Sequence, residues 1–376
     1  MHRGSGTRIE DAVHIVSEGD RGDSYNFDPV PEGVRIERPQ RARVRAERAG
    51  VASAALRLEL RLRVPCGLAS DRQRRSPRSA GLPITVWLRV PAGLDRIDVL
   101  VAGTNTAEDH RLRIHLRAPF TATRFEVESA FETVARPIAP SREAFGSAAP
   151  SEWPIGAGPQ RSYCRLRDDA RALTVAARGN SEVEAVPEPG GTTSIAVTLL
   201  RAVGWLSRSD LSLRPGPAGP LMPTPGAQAP GPFRAELSLR LHAADEASWI
   251  AEAHRFAWPP SAFAPGDGNG ATLRDGARLV ELDDPGIVVS ALEPGADGAL
   301  RVRLYEATGQ PRRLRGRIPG AQQIRALDLA GQPDAGWALA VSGGDFEAEL
   351  RAGQIVDLEA RSVASSCATR PDDERN

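Results

Sequence analysis

The sequence has 376 residues, of which 41% are hydrophobic, so it is long enough for two or three domains with ordinary buried cores. All 48 basic residues are Arg, and 48 Asp and Glu residues balance them to a formal net charge of +0 at pH 7. Because no net field attracts polyanions, binding to nucleic acid or to an anionic membrane surface is excluded as a leading function.

The amino terminus and the cysteines indicate the cellular compartment. Residues 1–7 are not followed by an apolar run of signal-peptide length, and no run approaches the length of a membrane span. Cys66, Cys164 and Cys367 are odd in number and lack metal-ligand spacing, which favours reduced thiols over a disulfide framework or a zinc site. We therefore expect a soluble cytoplasmic protein that is not exported.

Short segments in which apolar and polar residues alternate recur along the chain and predict strands. The pattern is clearest in residues 54–64, where Leu alternates with charged residues, and it returns at 82–90, 97–102, 111–116 and 234–242. Alternation puts the apolar side chains on one face of a strand, as an antiparallel sheet with one face in water requires. The sequence thus predicts an all-β protein built on a large antiparallel β-sandwich.

One segment has helical periodicity. In residues 245–256, Trp249, Ala253 and Phe256 fall on one stripe behind an Asp N-cap, and the pattern stops at residues 258–260, Trp-Pro-Pro. Residues 264–270 are typical of a loop, and a new alternating set begins near Leu279. The predicted domains are a connecting segment at 1–30, a large β-sandwich at 31–278, a smaller β-sandwich at 279–362 and a disordered polar tail at 363–376.

A second loop region, residues 213–232, is too rich in Pro and Gly to pair as a strand. Long loops often carry function. A tolerated surface insertion is the alternative, and composition alone does not separate the two.

Five segments in order resemble the C-terminal half of family 38 α-mannosidases, in particular the bacterial members. They are residues 18–29, residues 104–113 with the pattern N-x-A-x-D-H-R-L-R, residues 131–137 with the pattern F-x-x-x-x-R-P, residues 199–228 and residues 287–293. The fourth, which begins LLRAVGWLSRSDL, is the most specific. Their shared order and comparable separations make coincidence improbable, and the resemblance implies a galactose-mutarotase-like super-sandwich followed by a small sandwich.

The resemblance also implies an activity, the hydrolysis of terminal α-mannosyl residues in mannose and glycan metabolism. In the family, an N-terminal α/β domain carries a zinc ion held by two His and two Asp, and a carboxylate nucleophile that also binds the metal. That domain should precede Asp20, yet the residues before it contain no His-x-Asp pair. The two carboxyl groups that a retaining glycosidase needs belong to the same domain. We therefore expect no catalytic residue, metal ligand or cofactor in this chain, with zinc in the missing catalytic domain.

The histidines and the acidic residues of this chain offer no evident replacement. His110 and His115 are five apart on a predicted strand and should project to opposite faces, and zinc needs three or four convergent ligands. We interpret the 6 His residues as surface or hydrogen-bonded structural residues. Asp20, Asp23 and Asp28 share one Gly-containing loop, where carboxylates accept hydrogen bonds from nearby backbone amides and form turns.

The resemblance implies that a Tyr and an Arg of the large sandwich reach the rim of the mannose site. Tyr25 stands where that Tyr is expected, and its phenol can donate to a sugar hydroxyl or to the acid/base carboxylate; simple packing is the alternative. Arg208 and Arg214, on either side of Asp210, are the candidates for the Arg, whose fork suits a carboxylate. The choice between them stays open, and a local pair between Arg208 and Asp210 is the alternative to a role at the rim.

Two functions from different classes remain. The first is the C-terminal portion of an α-mannosidase, which contributes substrate-rim and docking residues for an α-mannoside or a mannose-containing glycan. It comes either from a split or truncated gene or from a protein that works with a separately encoded catalytic domain. The second is a stand-alone carbohydrate-binding or structural β-sandwich module. The first predicts an exposed apolar patch around Tyr25, Arg208 and Arg214, where the catalytic domain would dock.

Overall fold

A computed structural model describes residues 8–47, 50–141, 150–261 and 276–362. The contacts between residues divide the chain into two units, one of Met1–Ser129 with Val134–Pro259 and one of Ala130–Thr133 with Pro260–Asn376. The predicted loop at 264–270 and the predicted tail at 363–376 lie outside the described residues. The domain limits at residues 30, 278 and 362 stay predictions.

The first unit is built from two antiparallel sheets. Its strands are β1 (Val13–Gly19), β2 (Arg41–Glu47), β3 (Ser53–Pro65), β4 (Ser79–Pro91), β5 (Ile97–Asn105), β6 (His110–Arg117), β7 (Arg124–Ser129), β8 (Glu132–Arg136), β9 (Gly158–Pro159), β10 (Tyr163–Arg167), β11 (Arg171–Arg178), β12 (Glu182–Pro187), β13 (Thr193–Ala202) and β14 (Gly231–Ala243). One sheet has five strands in the order β1-β6-β13-β12-β9, and the other has nine in the order β2-β3-β4-β5-β14-β11-β10-β7-β8. A short 3₁₀ helix, Pro225–Gln228, precedes β14.

The two sheets face each other across one apolar core. Ile114 on β6 and Val197 on β13 belong to the same buried cluster as Val101 on β5 and Leu237 on β14. Apolar side chains from both sheets therefore leave water together, which stabilises the pair of sheets. The predicted large antiparallel β-sandwich is confirmed, and the segments predicted as strands form β3, β4, β5, β6 and β14.

Strand β6 departs from the prediction of one wet face, because its residues from His110 to Leu116 are all buried. Nη2 of Arg111 lies 2.9 Å from Oε2 of Glu18 on β1, and Nη2 of Arg113 lies 3.0 Å from the same oxygen. The guanidinium of Arg111 also lies 3.5 Å from the ring centre of Phe27. Ion pairs and a ring therefore take the place of water on this face. The same alternating sequence pattern is expected whether the polar face of a strand is exposed to water or is covered by ion pairs.

The predicted helix begins later than the sequence indicates. Helix α1 is Trp249–Ala257, and the residue before it, Ser248, forms no side-chain cap. The hydroxyl of Ser248 donates instead to Glu246 at 2.7 Å, so the prediction of an Asp cap was wrong. The apolar stripe is confirmed by burial of Trp249, Ala253 and Phe256. No helix among the described residues is long and apolar enough to cross a membrane.

The second unit is a smaller pair of antiparallel sheets. Its strands are β15 (Glu281–Leu282), β16 (Ile287–Pro294), β17 (Leu300–Glu306), β18 (Arg312–Arg317), β19 (Gln323–Leu327), β20 (Ala340–Ser342), β21 (Asp345–Leu350) and β22 (Ile355–Arg361), with a 3₁₀ turn at Ala296–Gly298. The sheet orders are β15-β18-β21-β20 and β16-β17-β22-β19. Leu304 and Leu358 from one sheet share a buried cluster with Leu314 and Phe346 from the other, as in a sandwich.

The sandwich core makes a first prediction. Leu112 is fully buried on β6, so Leu112→Ala removes apolar contacts and leaves a cavity between the sheets. We expect the free energy of unfolding of the first unit to fall by about 2 to 5 kcal/mol. Urea denaturation followed by tryptophan fluorescence measures the loss. The control is Leu56→Ala on β3, where Leu56 is 44% exposed, and it should cost about 1 kcal/mol or less. Equal losses would contradict the assignment of the core.

Candidate functional site

Three fully buried carboxylates shape residues 20–28, which we call the aspartate loop. Oδ1 of Asp20 accepts the backbone N–H of Gly22 at 2.9 Å. Oδ1 of Asp23 accepts those of Tyr25 at 3.0 Å and Asn26 at 2.9 Å. The predicted turn-forming role of these residues is thus what the structure shows. Such bonds fix the backbone of a loop that lies between β1 and β2.

Arginines join the aspartate loop to residues 201–214, which we call the facing segment. Nε of Arg201 donates to Oδ2 of Asp20 at 2.9 Å, and Nη2 of Arg214 donates to Oδ2 of Asp23 at 2.5 Å. The backbone N–H of Ser212 donates to Asp28 at 3.1 Å. Charge-assisted bonds of this kind are stronger than neutral ones. They hold together two segments that are far apart in the sequence.

Asp20 illustrates the electrostatics of this junction. Burial raises the pKa of its carboxyl, and this outweighs the opposing effect of Arg201 and of two backbone hydrogen bonds from Gly22 and Asp28. The side chain has no exposed surface. Asp20 therefore acts as a structural acceptor inside the loop.

The N-x-A-x-D-H-R pattern is part of the same junction. Nδ2 of Asn105 donates to the carbonyl of Gln228 at 3.0 Å, and Oδ1 of Asn105 lies 2.9 Å from Nε2 of His110. The side chain of Gln228 donates to Asp109 at 2.9 Å and accepts the N–H of Asp109 at 2.8 Å. The carbonyl of Asp109 in turn accepts the N–H of Asp20 at 2.9 Å. Three of the five segments that carry the family resemblance therefore meet at one place.

Three large apolar residues of the aspartate loop and of the Pro/Gly loop are exposed, Tyr25, Leu221 and Met222, and we call them the apolar rim. The three residues are 53%, 56% and 50% exposed. Ser24 donates through its hydroxyl to the carbonyl of Leu206 at 2.7 Å, and Leu206 donates to the carbonyl of Met222 at 2.8 Å. The sequence predicted a large exposed apolar patch around Tyr25, Arg208 and Arg214; Arg214 is buried and is not part of an exposed surface, and the docking patch itself stays a prediction.

Gly219 permits the position of the Tyr25 side chain. A Cβ atom on Gly219 would lie 2.8 Å from the phenol oxygen, which is shorter than real contacts of this kind. Any larger residue at position 219 would therefore push the Tyr25 ring away from the Pro/Gly loop.

The two candidate arginines differ in what they bind. Nε and Nη2 of Arg208 donate to Asp210 at 2.8 and 2.7 Å, and the Arg208 guanidinium lies 5.0 Å from the ring centre of Trp205. Arg214 is buried and donates to Asp23, to Asn26 and to backbone carbonyls. The local Arg208 to Asp210 pair is thus present. Arg214 is fully engaged within the junction.

Several histidines are hydrogen-bonded as the sequence indicated. His110 is bound to Asn105, His242 lies 2.8 Å from the hydroxyl of Thr174, and His254 lies 2.8 Å from Glu128. These contacts account for three of them as structural residues.

A different set of residues converges where sequence analysis found nothing. Metal-binding atoms of His14, His115 and Glu188 lie within 4.8 Å of one another on the five-stranded sheet. The set contains a Glu and no Asp, so it does not match the two His and two Asp that the resemblance implies for the catalytic zinc. The spacing of these residues along the chain could not reveal the group, because only the pairing of β1 with β6 puts His14 opposite His115.

The described cysteines, Cys66 and Cys164, are free thiols, whereas Cys367 lies outside the described residues. Burial raises the pKa of the Cys164 thiol. A buried neutral thiol is a poor nucleophile. Cys164 therefore belongs to the core and not to a reactive site.

No protein-family model matches the sequence. Among curated sequences, the chain is similar to the "Putative mannosylglycerate hydrolase" of Halalkalibacterium halodurans, with 27% identity over 299 residues. The alignment includes 74% of this chain and 31% of the relative. The chain thus spans about a third of the length of that protein.

Among solved structures, the fold is similar to that of an α-mannosidase from Enterococcus faecalis V583, with a TM-score of 0.78 and 20% identity. It is also similar to a glycosyl hydrolase family 38 protein from Enterococcus faecalis, with a TM-score of 0.77 and 20% identity. Each alignment covers 96% of this chain, but only 40% and 41% of the other chains. The predicted resemblance to family 38 is confirmed. What is similar is the fold, over less than half of each of those proteins.

The structure of the junction predicts that breaking two different arginine–aspartate pairs lowers the free energy of unfolding by unequal amounts. Arg214→Met leaves Asp23 buried without its charge partner, so we expect the free energy of unfolding to fall by about 3 to 5 kcal/mol. The control is Asp210→Asn, which breaks the pair with Arg208 at a side chain that is 59% exposed and should cost about 1 kcal/mol or less. Denaturant unfolding of both variants measures the difference. A loss from Asp210→Asn as large as that from Arg214→Met would contradict the structural role of Arg214.

His110 predicts a pH dependence of stability. Burial and the nearby charge of Arg75 lower its pKa from 6.5 to about 3. Below pH 6.5 the unfolded chain takes up a proton that the folded chain does not, so the stability present above that pH is lost as the pH falls towards 3. Between about pH 7.5 and about pH 4.5, the wild type should lose about 2 to 3 kcal/mol more than His110→Gln. Urea denaturation at both pH values tests this, and identical losses would count against it.

Proposed function

We propose that this chain is the C-terminal β-sandwich portion of an α-mannosidase and does not hydrolyse mannosides by itself. The observation that carries the proposal is the likeness of fold over 96% of this chain to proteins of which it spans 40% and 41%. Hydrolysis of a glycoside uses two carboxyl groups that flank the scissile bond. The proposal assigns those groups, and the zinc ion of the family, to a separately encoded catalytic domain.

The substrate class follows from the similar proteins. Their names refer to an α-mannosidase and to a mannosylglycerate hydrolase. Both names describe mannose-containing substrates, so an α-mannoside or a mannose-containing glycan is the proposed ligand. The chain would contribute carbohydrate contacts at the rim of the site.

Tyr25 is the proposed rim residue that donates a hydrogen bond. Its side chain is 53% exposed, Oδ1 of Asp23 accepts the backbone N–H groups of Tyr25 and Asn26, and the hydroxyl of Ser24 donates to the carbonyl of Leu206. A preorganised phenol loses little conformational entropy when it binds a sugar hydroxyl or a catalytic carboxylate. This fixed, exposed position supports a contact with substrate over simple packing.

Arg208 is the proposed rim arginine, in preference to Arg214. The hydrogen bonds of Arg214 to Asp23 and Asn26 lie within the junction. Arg208, whose side chain is 17% exposed, binds Asp210, whose side chain is 59% exposed. An arginine and a carboxylate at the surface offer both donors and acceptors to sugar hydroxyls or to a neighbouring domain. Arg208 and Asp210 would then act as a pair.

The apolar rim is the proposed docking surface for the catalytic domain. Tyr25, Leu221 and Met222 expose apolar area beside the proposed substrate contacts. Exposed apolar clusters of this kind commonly mark interaction sites. Docking there would bring Tyr25 and Arg208 to the edge of the catalytic pocket.

Complementation tests the proposal. The purified chain with added zinc should not hydrolyse an activated aryl α-mannoside, whereas its mixture with an α-mannosidase catalytic domain encoded beside it should. Hydrolysis by the chain alone would overturn the proposal. Binding of mannosides without turnover in the mixture would instead support a stand-alone carbohydrate-binding module.

Variants of the rim sharpen the same assay. In the active mixture, Tyr25→Phe and Arg208→Gln should each lower kcat/KM by about tenfold, because each loses a hydrogen bond worth about 0.5 to 1.5 kcal/mol, or more for a charged donor. The matched control is Arg45→Gln on the exposed strand β2, which should leave kcat/KM unchanged. If Tyr25→Phe and Arg208→Gln both keep the wild-type kcat/KM, neither residue contacts the substrate at the rim.

A further inference from the structure

We propose that His14, His115 and Glu188 form a binding site for one divalent transition-metal ion, and that Zn²⁺ suits the donor set. Two imidazoles and one carboxylate are ligands that zinc binds in proteins, with water in the fourth position. The inference goes beyond the proposed function, because these residues are not rim residues and do not match the ligand set of the family's catalytic zinc.

The sheet brings the three side chains together. His14 on β1 lies directly opposite His115 on β6, and Glu188 immediately follows β12. Oε1 of Glu188 is 3.1 Å from Nδ1 of His115 and 3.9 Å from Nε2 of His14. The ligand atoms of tetrahedral zinc lie about 3.3 Å apart, given metal bonds of about 2.0 to 2.1 Å. The three ligand atoms lie within 4.8 Å of one another, so a movement of up to about 1.5 Å between the side chains would bring them to this spacing.

Each of the two imidazoles directs one nitrogen towards Oε1 of Glu188, and the two ring centroids are 4.9 Å apart. Nδ1 of His115 is within hydrogen-bond distance of that oxygen, whereas the distance from Nε2 of His14 is too long for a hydrogen bond. Glu188 therefore does not hydrogen-bond to both rings at once, and one ion between the three ligand atoms would bind both rings to it. The other ring nitrogens, Nδ1 of His14 and Nε2 of His115, are buried and have no hydrogen-bond partner in the part of the chain that the structure describes.

The surrounding charges leave one carboxylate oxygen available. Nη2 of Arg117 lies 3.6 Å from Oε2 of Glu188, so Oε1 is the oxygen that faces the imidazoles.

The site has a path for the ion and a consequence for the fold. The His14 side chain is 18% exposed, so a cation and its water reach the site from solvent past β1. Strand β1 is at the edge of the five-stranded sheet. An ion held by residues of β1 and β6 and by the residue after β12 would fasten that edge strand to the sheet and stabilise the folded state by mass action.

Zinc titration of the whole chain tests the site. After treatment with a chelator, the chain is titrated with Zn²⁺ in competition with a chromophoric chelator, and thermal unfolding is followed with and without the ion. We expect one Zn²⁺ per chain at this site and a higher Tm with zinc. His14→Gln and Glu188→Gln should each weaken zinc binding by at least about tenfold and remove the rise in Tm.

The variants are chosen so that a misfolded protein does not mimic the result. His14 is at an edge strand and partly exposed, so His14→Gln should fold, which circular dichroism verifies. The matched control is His254→Gln, since His254 faces Glu128 without joining a metal-binding group among the described residues. It should keep wild-type zinc affinity. No binding at micromolar zinc, or unchanged affinity in His14→Gln and Glu188→Gln, would overturn the proposal, and neither result bears on mannoside hydrolysis.

Discussion

Ion pairing between buried carboxylates and distant arginines is the interaction on which the candidate surface depends. Asp20 and Asp23 have no exposed surface, and their arginine partners are 181 and 191 residues away in the sequence. A buried carboxylate is tolerable only when it is paired and hydrogen-bonded. Tyr25 is therefore held at the surface by contacts beneath it, and its position is a property of the first unit as a whole.

Pairing of a carboxylate with two arginines is found on the covered polar faces of two sheets. On β6, Arg111 and Arg113 share Glu18, and in the second unit the fully buried Asp357 accepts hydrogen bonds from Arg301 and Arg303. The planar fork of Arg can bind two oxygens at once and is weakly hydrated. A chain whose basic residues are all Arg can therefore bury polar strand faces that would otherwise need water.

The fold and the function have different support. The likeness to family 38 structures covers nearly all of this chain and less than half of the other chains, so it establishes an architecture. The proposed activity assigns catalysis to a separate domain, whereas the proposed rim and the proposed metal site are argued from contacts within this chain. These two sites are built differently. The rim is set by loops that are joined through aspartates, and the metal site is set by the register of four strands, β1, β6, β13 and β12.

The sequence by itself determined the all-β class, five strands to within a few residues, the apolar stripe of α1 and the turn-forming aspartates. These follow from local patterns, since alternation and side-chain bonds to nearby amides involve residues close in the chain. Tertiary structure alone decided that Arg111 and Arg113 are buried, that Arg214 lies within the junction while Arg208 pairs with Asp210, and that His14 meets His115 and Glu188. The physical reason is that each of these outcomes depends on partners from distant strands or loops, and strand pairing leaves no trace in the spacing of residues along one strand.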